Sequence, residues 1–240
     1  MGEYRRFYVS ANAVFENEIV IEGEEYKHIG KVLRMKPGDK VVICDGSGYE
    51  YFCEITSFDK IAARLVILER NEASNELEKH LVLFQACVKG DKAEFIIQKA
   101  TELGVKELYF FDSRFCVAKL TGKNERYNKI AVEAAKQCGR ALPMTVHECI
   151  SFKQMKELLP TFDKAVFCYE KEKENTLKEF LKKEEYGTLA VIIGSEGGFS
   201  DEEAEEIREK AISVKLCNRI LRAETASVFA LSVIVSDLEG

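Results

Sequence analysis

The strongest constraint on the fold is a change of rhythm along the chain. Before residue 71 the apolar residues come in short runs, Phe7–Val9, Ile19–Ile21, Lys40–Cys44, Tyr49–Ile55 and Ala62–Leu68. Turn-forming clusters such as Pro37-Gly38-Asp39 and Asp45-Gly46-Ser47-Gly48 separate them, which predicts short strands of a small barrel. After the polar stretch Asn71–Lys79, apolar strands alternate with amphipathic helices, the pattern of a parallel sheet. The expected division is a barrel domain over 1–72, a linker over 73–80 and an α/β domain over 81–240.

Within the barrel, a helix over Glu24–Met35 sets Lys27, His28, Lys31 and Arg34 along one side, and Arg6 lies just before the first strand. In the α/β domain, strands are expected at Leu81–Val88, Val105–Phe111, Thr145–Ile150, Ala165–Tyr169 and Leu189–Ile193. Between them, Asp91 with Glu94 opens a helix that Gly104 closes. Further helices are expected over Asn124–Cys138, over Ser151–Leu159 with Ser151 and Gln154 as a capping box, and over the charged segment Glu170–Glu185.

The net charge of −6 argues against a surface that coats nucleic acid broadly, so a polyanion must be met by a local basic patch. One exists. Residues 112–140 carry seven basic side chains, including Arg114, Lys119, Lys123, Arg126 and Arg140, against three acidic ones. The eight cysteines include no C-x-x-C pair and no histidine at ligand spacing, so they read as reduced core residues, and no metal is expected. With no signal peptide and no bilayer-length apolar run, a cytoplasmic protein is expected.

Two loops concentrate the chemistry. Gly194-Ser195-Glu196-Gly197-Gly198 follows an apolar strand and precedes a helix capped by Ser200 and Glu203. It lacks the Lys-Ser/Thr of a phosphate loop and carries Glu196 where phosphate would be repelled. A carboxylate there suits hydroxyls or positive charge, although a plain tight turn has the same signature. The second loop, Leu216 to Ala226, crowds Arg219, Arg222, Glu224 and Thr225 at the start of an apolar helix. Thr225 or Glu224 there has the chemistry of a helix cap, and Arg222 with Glu224 that of an ion pair. Loops at the carboxyl ends of parallel strands are where α/β proteins place ligands.

Taken in order, RFY at Arg6–Tyr8, HIGKVLRM at His28–Met35, KGDK at Lys89–Lys92 with QKATELGV at Gln98–Val105, GSEGGFS from Gly194 and LCNRILRAETA from Leu216 resemble the RsmE family of 16S rRNA uracil-N3 methyltransferases in the SPOUT superfamily. The resemblance spans essentially the whole chain. It implies a PUA-like N-terminal β-barrel for RNA and a C-terminal α/β domain with a trefoil knot that holds S-adenosylmethionine. It also implies a homodimer acting on 16S rRNA or the small ribosomal subunit, at N3 of uridine 1498. Carried over by motif, cofactor contacts fall on Tyr169, Glu170, Gly194, Ser195, Glu196, Gly197, Leu216, Asn218, Ile220, Leu221 and Thr225. The family commonly has proline and glycine where this chain has Ser195 and Cys217.

The substrate chemistry then asks for alignment of the uracil, stabilisation of its anion by Arg219 or Arg222, and a proton acceptor, for which Glu224 is a candidate. Arg6, Lys27, Lys31, Arg34, Arg114, Lys123, Arg126 and Arg140 would hold the RNA backbone. The competing reading is an RNA-binding or assembly factor of the same fold without turnover.

Overall fold

The computed structural model describes residues 4–240 except 119, 121 and 123. Two compact units emerge, Met1–Glu76 with Ala135–Pro143, and Leu77–Ala134 with Met144–Gly240.

Unit 1 holds five strands, β1 (Arg6–Tyr8), β2 (Glu18–Glu22), β3 (Lys40–Cys44), β4 (Tyr49–Phe58) and β5 (Ala62–Glu72), in the order β1-β3-β4-β5-β2. Alternation along them buries Ile19, Ile21, Val41, Ile43, Cys53 and Ile55 in one core. The single long helix expected from Glu24 to Met35 is instead α1 (Gly23–Lys27) followed by one π turn, His28–Val32. The wider turn is closed by Leu33 N donating to the His28 carbonyl at 2.9 Å, and Arg34 ends it with φ 54°.

Unit 2 is a parallel sheet. Its strands are β6 (His80–Ala86), β7 (Glu107–Asp112), β8 (Thr145–Val146), β9 (Ile150–Ser151), β10 (Lys164–Cys168), β11 (Thr188–Ile193) and β12 (Ile212–Val214). They lie in the order β12-β10-β11-β6-β7-β8, with β9 also on β7. Helices α2 (Gly90–Glu102), α3 (Asn124–Cys138), α4 (Phe152–Leu158), α5 (Leu177–Lys183), α6 (Asp201–Arg208) and α7 (Ala223–Glu239) complete the chain, and the last turn of α3 groups with unit 1. Two apolar clusters form on the sheet, one containing Leu83, Ile97, Phe110, Val191 and Leu231, the other Phe84, Phe111, Phe167, Ile192 and Phe199. Near-continuous apolar strands such as β11 follow from burial of both faces.

Local signals set several helix starts. Ser151 with Gln154 and Ser200 with Glu203 both form capping boxes. The box expected at Asp91 does not form, because α2 begins at Gly90 behind Lys89 and leaves Asp91 inside the first turn. The helix expected over Glu170–Glu185 is confined to Leu177–Lys183, capped by Thr176 and Glu179. Glu172 explains the shortening: its Oε1 accepts from the amides of Lys173, Glu174 and Asn175, holding these residues in a turn. The strand expected at Thr145–Ile150 is the two short pieces β8 and β9.

Candidate active site

Register brings three loops to one edge. Cys168 of β10 stands opposite Ile193 of β11 and opposite Val214 of β12. The chain therefore leaves three adjacent parallel strands at one level, into Tyr169-Glu170, Gly194–Gly198 and Lys215–Arg222. Tyr169 N donates to the Val214 carbonyl (3.0 Å), Lys215 N to that of Asn175 (2.8 Å) and Leu177 N to that of Lys215 (3.2 Å), which stitches two of the loops together. Between them lies a crevice of about 560 Å³, within the range of small-molecule sites.

The glycine loop is a tight turn built for close approach. Gly198 N donates to the Ser195 carbonyl at 3.0 Å, and Gly198 has φ +69°, where a Cβ would stand 3.0 Å from Glu170 Oε1. A Cβ on Gly194 would meet the Phe199 ring at 2.9 Å. That ring cannot retreat, since Phe111 stacks on it and Phe167 meets it edge-on.

Two polar side chains outside the loops tie the walls together. Gln85, fully buried at the end of β6, donates through Nε2 to the Gly194 carbonyl (3.0 Å) and its neighbour's carbonyl at Ala86 (3.0 Å). Its Oε1 lies 2.5 Å from Ser227 Oγ on α7. Nearer the surface, Lys92 Nζ sits 2.9 Å from Glu196 Oε1 and 3.4 Å from Glu224 Oε2, an atom closed to solvent. Partial burial pushes the Glu196 carboxyl up, but the Lys92 hydrogen bond, a backbone amide and the Lys92 charge outweigh it and hold the group below the usual 4.5. The pairing between Arg222 and Glu224 considered from sequence is replaced by Lys92 with Glu224. Neither Thr225 nor Glu224 caps α7, whose N-cap is Arg222 without a side-chain bond.

Of the residues expected around a cofactor, Tyr169, Glu170, Gly194, Ser195, Glu196, Leu216, Asn218, Ile220 and Leu221 line the crevice, as do Arg219 and Arg222. Gly197, Glu224 and Thr225 are not in the lining; Gly197 packs against Phe115 instead. Lys92, missed in the sequence, does line it. Its place one turn into α2, after KGD, was the available signal. Gln85 gave none, being one polar residue in an apolar run.

The expected RNA contacts divide. Lys27, Lys31 and Arg34 are exposed with no ion-pair partner among the described residues. Arg114 and Arg126 are exposed but paired, with Glu202 at 3.1 Å and Glu94 at 2.5 Å. Arg6 and Arg140 are corrections. Arg6 Nη1 lies 2.6 Å from Glu50 in a largely buried pair, and Arg140, 3% exposed, is held by Glu76 at 2.8 Å. Both spend their charge inside unit 1. Lys119 and Lys123 lie outside the described residues.

A parallel sheet with a ligand-sized crevice at its carboxyl edge, in a chain that also holds a small five-stranded unit, belongs to the class of α/β proteins that bind a small ligand at the strand ends. Residues 75–235 match the family model of the RNA methyltransferase domain, and residues 21–68 that of the RNA methyltransferase PUA domain. Ribosomal RNA small subunit methyltransferase E of Bacillus subtilis is 36% identical over 225 residues, 89% of this chain and 88% of that protein. Its counterpart from Buchnera aphidicola is 31% identical, over 95% of this chain and 92% of its own. The crystal structure of the Neisseria gonorrhoeae enzyme of that name, bound to S-adenosyl methionine, superposes with a TM-score of 0.86 at 26% identity, covering 97% of each chain. The chain belongs to the ribosomal RNA small subunit methyltransferase E family.

Proposed function

We propose that this protein transfers a methyl group from S-adenosylmethionine to N3 of a uridine in 16S rRNA, the position equivalent to 1498. The observation that carries the reading is the convergence of three strand-end loops on one crevice of about 560 Å³. The donor set fits the cofactor. Glycines at 194 and 198 leave backbone room that a Cβ would fill, Glu170 and Glu196 suit ribose hydroxyls and positive charge, and Ile193, Leu216, Leu221 and Ala226 supply apolar wall.

S-adenosylmethionine supplies a methyl group already activated on a sulfonium. The residues of this chain bind and orient. The Gly194–Gly198 and Leu216–Leu221 loops would hold the cofactor, with Tyr169 and Glu170 beside it, while Gln85 fixes the first loop against α7. Arg219 and Arg222, both exposed at the rim, favour the uracil anion electrostatically. Glu224 Oε2 is closed to solvent beside Lys92, which makes it a holder of Lys92 rather than a proton acceptor. The N3 proton is then lost to water at the open rim. Lys27, Lys31 and Arg34 engage the RNA backbone, giving affinity without sequence reading.

A homodimer fits the same reading, because Phe95 on α2 and Phe229 on α7 leave apolar area exposed on two helices that pack together. No described helix is long and apolar enough to cross a membrane, and the proposed ribosomal RNA substrate supports a cytoplasmic location.

The test is incubation with S-adenosylmethionine and small subunits, or free 16S rRNA, from cells lacking the protein, followed by nucleoside mass spectrometry. N3-methyluridine at one site is expected. Binding of RNA without methylation of either substrate would favour the assembly-factor reading.

A further inference from the structure

We propose that the carboxyl ends of β6 and β7 and the amino end of β9 form a site for a thiophilic divalent cation of the zinc class, with Cys87, Asp112 and Cys149 as its ligands. One ligand atom from each of the three lies within 4.8 Å of the others, and the Cys87 and Cys149 Sγ atoms are 3.3 Å apart. Strand register produces the cluster. Ala86 stands opposite Phe111, so Cys87 comes level with Asp112, and the Cys87 amide donates to the Phe111 carbonyl at 2.9 Å. Ile150 also pairs with Phe111, which brings Cys149 level with Phe110, two residues from Asp112. Alternation then turns all three side chains to one face.

Burial falls off across the group. Cys87 is fully buried, Cys149 half-buried and Asp112 exposed, so an ion enters past the carboxylate and exchanges its water for sulfur. The two thiol protons leave to solvent on binding.

Two thiolates and a carboxylate form a donor set that zinc accepts. Zinc–sulfur bonds of about 2.3 Å at the tetrahedral angle set the sulfurs roughly 3.8 Å apart, a small opening from the distance observed. The Cys116 thiol, held by the Ser113 amide and hydroxyl at 3.3 and 3.2 Å, lies outside the three-ligand group, which leaves the fourth position to water. Sequence spacing hides the site because each donor comes from a different strand end.

Cobalt(II) titrated into reduced, metal-free, full-length protein is the test. The expected result is saturation at one equivalent, with thiolate-to-cobalt charge-transfer absorption in the near ultraviolet, tetrahedral bands in the red, and bleaching by zinc. Because Cys87→Ser alters the core, Cys149→Ser and Asp112→Asn carry the assignment, each checked for an unchanged circular dichroism spectrum. Cys149→Ser should weaken cobalt binding by more than the roughly 10–100-fold typical of losing an outer-sphere partner, and Cys116→Ser should weaken it less. Absence of the charge-transfer band, binding by both Cys149→Ser and Asp112→Asn within about twofold of wild type, or a Cys87–Cys149 disulfide in the isolated protein would each overturn the proposal.

Discussion

Replacing Gln85 by leucine should loosen the crevice from behind. The side chain is fully buried and makes three contacts, two as donor to the Gly194 and Ala86 carbonyls and one as acceptor toward Ser227. Leucine nearly preserves the volume and removes all three. A Gly194 carbonyl left without its donor costs about 1–3 kcal/mol, and the other two bonds contribute about 1 kcal/mol each, for a total of about 4 kcal/mol. In a chain of this size each kcal/mol lowers Tm by roughly 2–4 °C, so a fall of about 8–16 °C is expected in a circular dichroism melt. Ser227→Ala leaves both carbonyl bonds in place and should cost only about 1 kcal/mol. Because the released carbonyl belongs to the first turn of the crevice, Gln85→Leu should also weaken S-adenosylmethionine binding by at least about tenfold, or 1.4 kcal/mol. A variant melting within about 2 °C of wild type with unchanged cofactor affinity would refute the role given to Gln85.

Arg222→Ala should abolish methyl transfer to rRNA while keeping most S-adenosylmethionine affinity by calorimetry, since the side chain lies exposed at the rim; an equal collapse of both would place it in the cofactor site. Arg140→Ala should destabilise unit 1 by up to about 3 kcal/mol in urea unfolding, because half-buried Glu76 loses its guanidinium partner but keeps the Ala141 and Leu142 amides, whereas reversing Lys27, Lys31 and Arg34 together should leave the melt unchanged and lower the salt dependence of RNA binding. Burial pushes the Glu107 carboxyl up, but hydrogen bonds from His147, His80 and Tyr109 outweigh it and leave the group below 4.5. Its stabilisation is therefore full above 4.5 and lost as pH falls through the lowered value. Glu107→Gln should flatten that acid limb in pH-dependent unfolding, and an unchanged limb would contradict this.

Legibility in the sequence followed locality. Features set within a few residues could be read directly: the boxes at Ser151 and Ser200, and the α3 boundaries with Gly139 at φ +83°. The two crevice loops were legible as loops, and strand register accounts for their meeting. What escaped depends on partners far along the chain. Arg140 looked like a surface charge because nothing near it announces Glu76, and Lys92 gains its place from two carboxylates that arrive from other loops. The charged segment after Glu170 was overextended as helix because its composition favours one, while Glu172 takes up three amides that a longer helix would need differently. Cysteine spacing was silent for the same reason that Gln85 was, since strand order and not sequence distance sets their neighbours.

Calorimetry with S-adenosylhomocysteine most directly tests whether the turn at 194–198 and the bend at 216–222 act as opposite walls of one adenosine-binding crevice. Wild-type protein should bind one equivalent per chain, and Gly198→Ala, which forces a Cβ to within 3.0 Å of Glu170 at φ +69°, should lose that heat while unit 1 remains folded. No heat from wild type at about millimolar ligand, or undiminished binding by Gly198→Ala, would contradict the account.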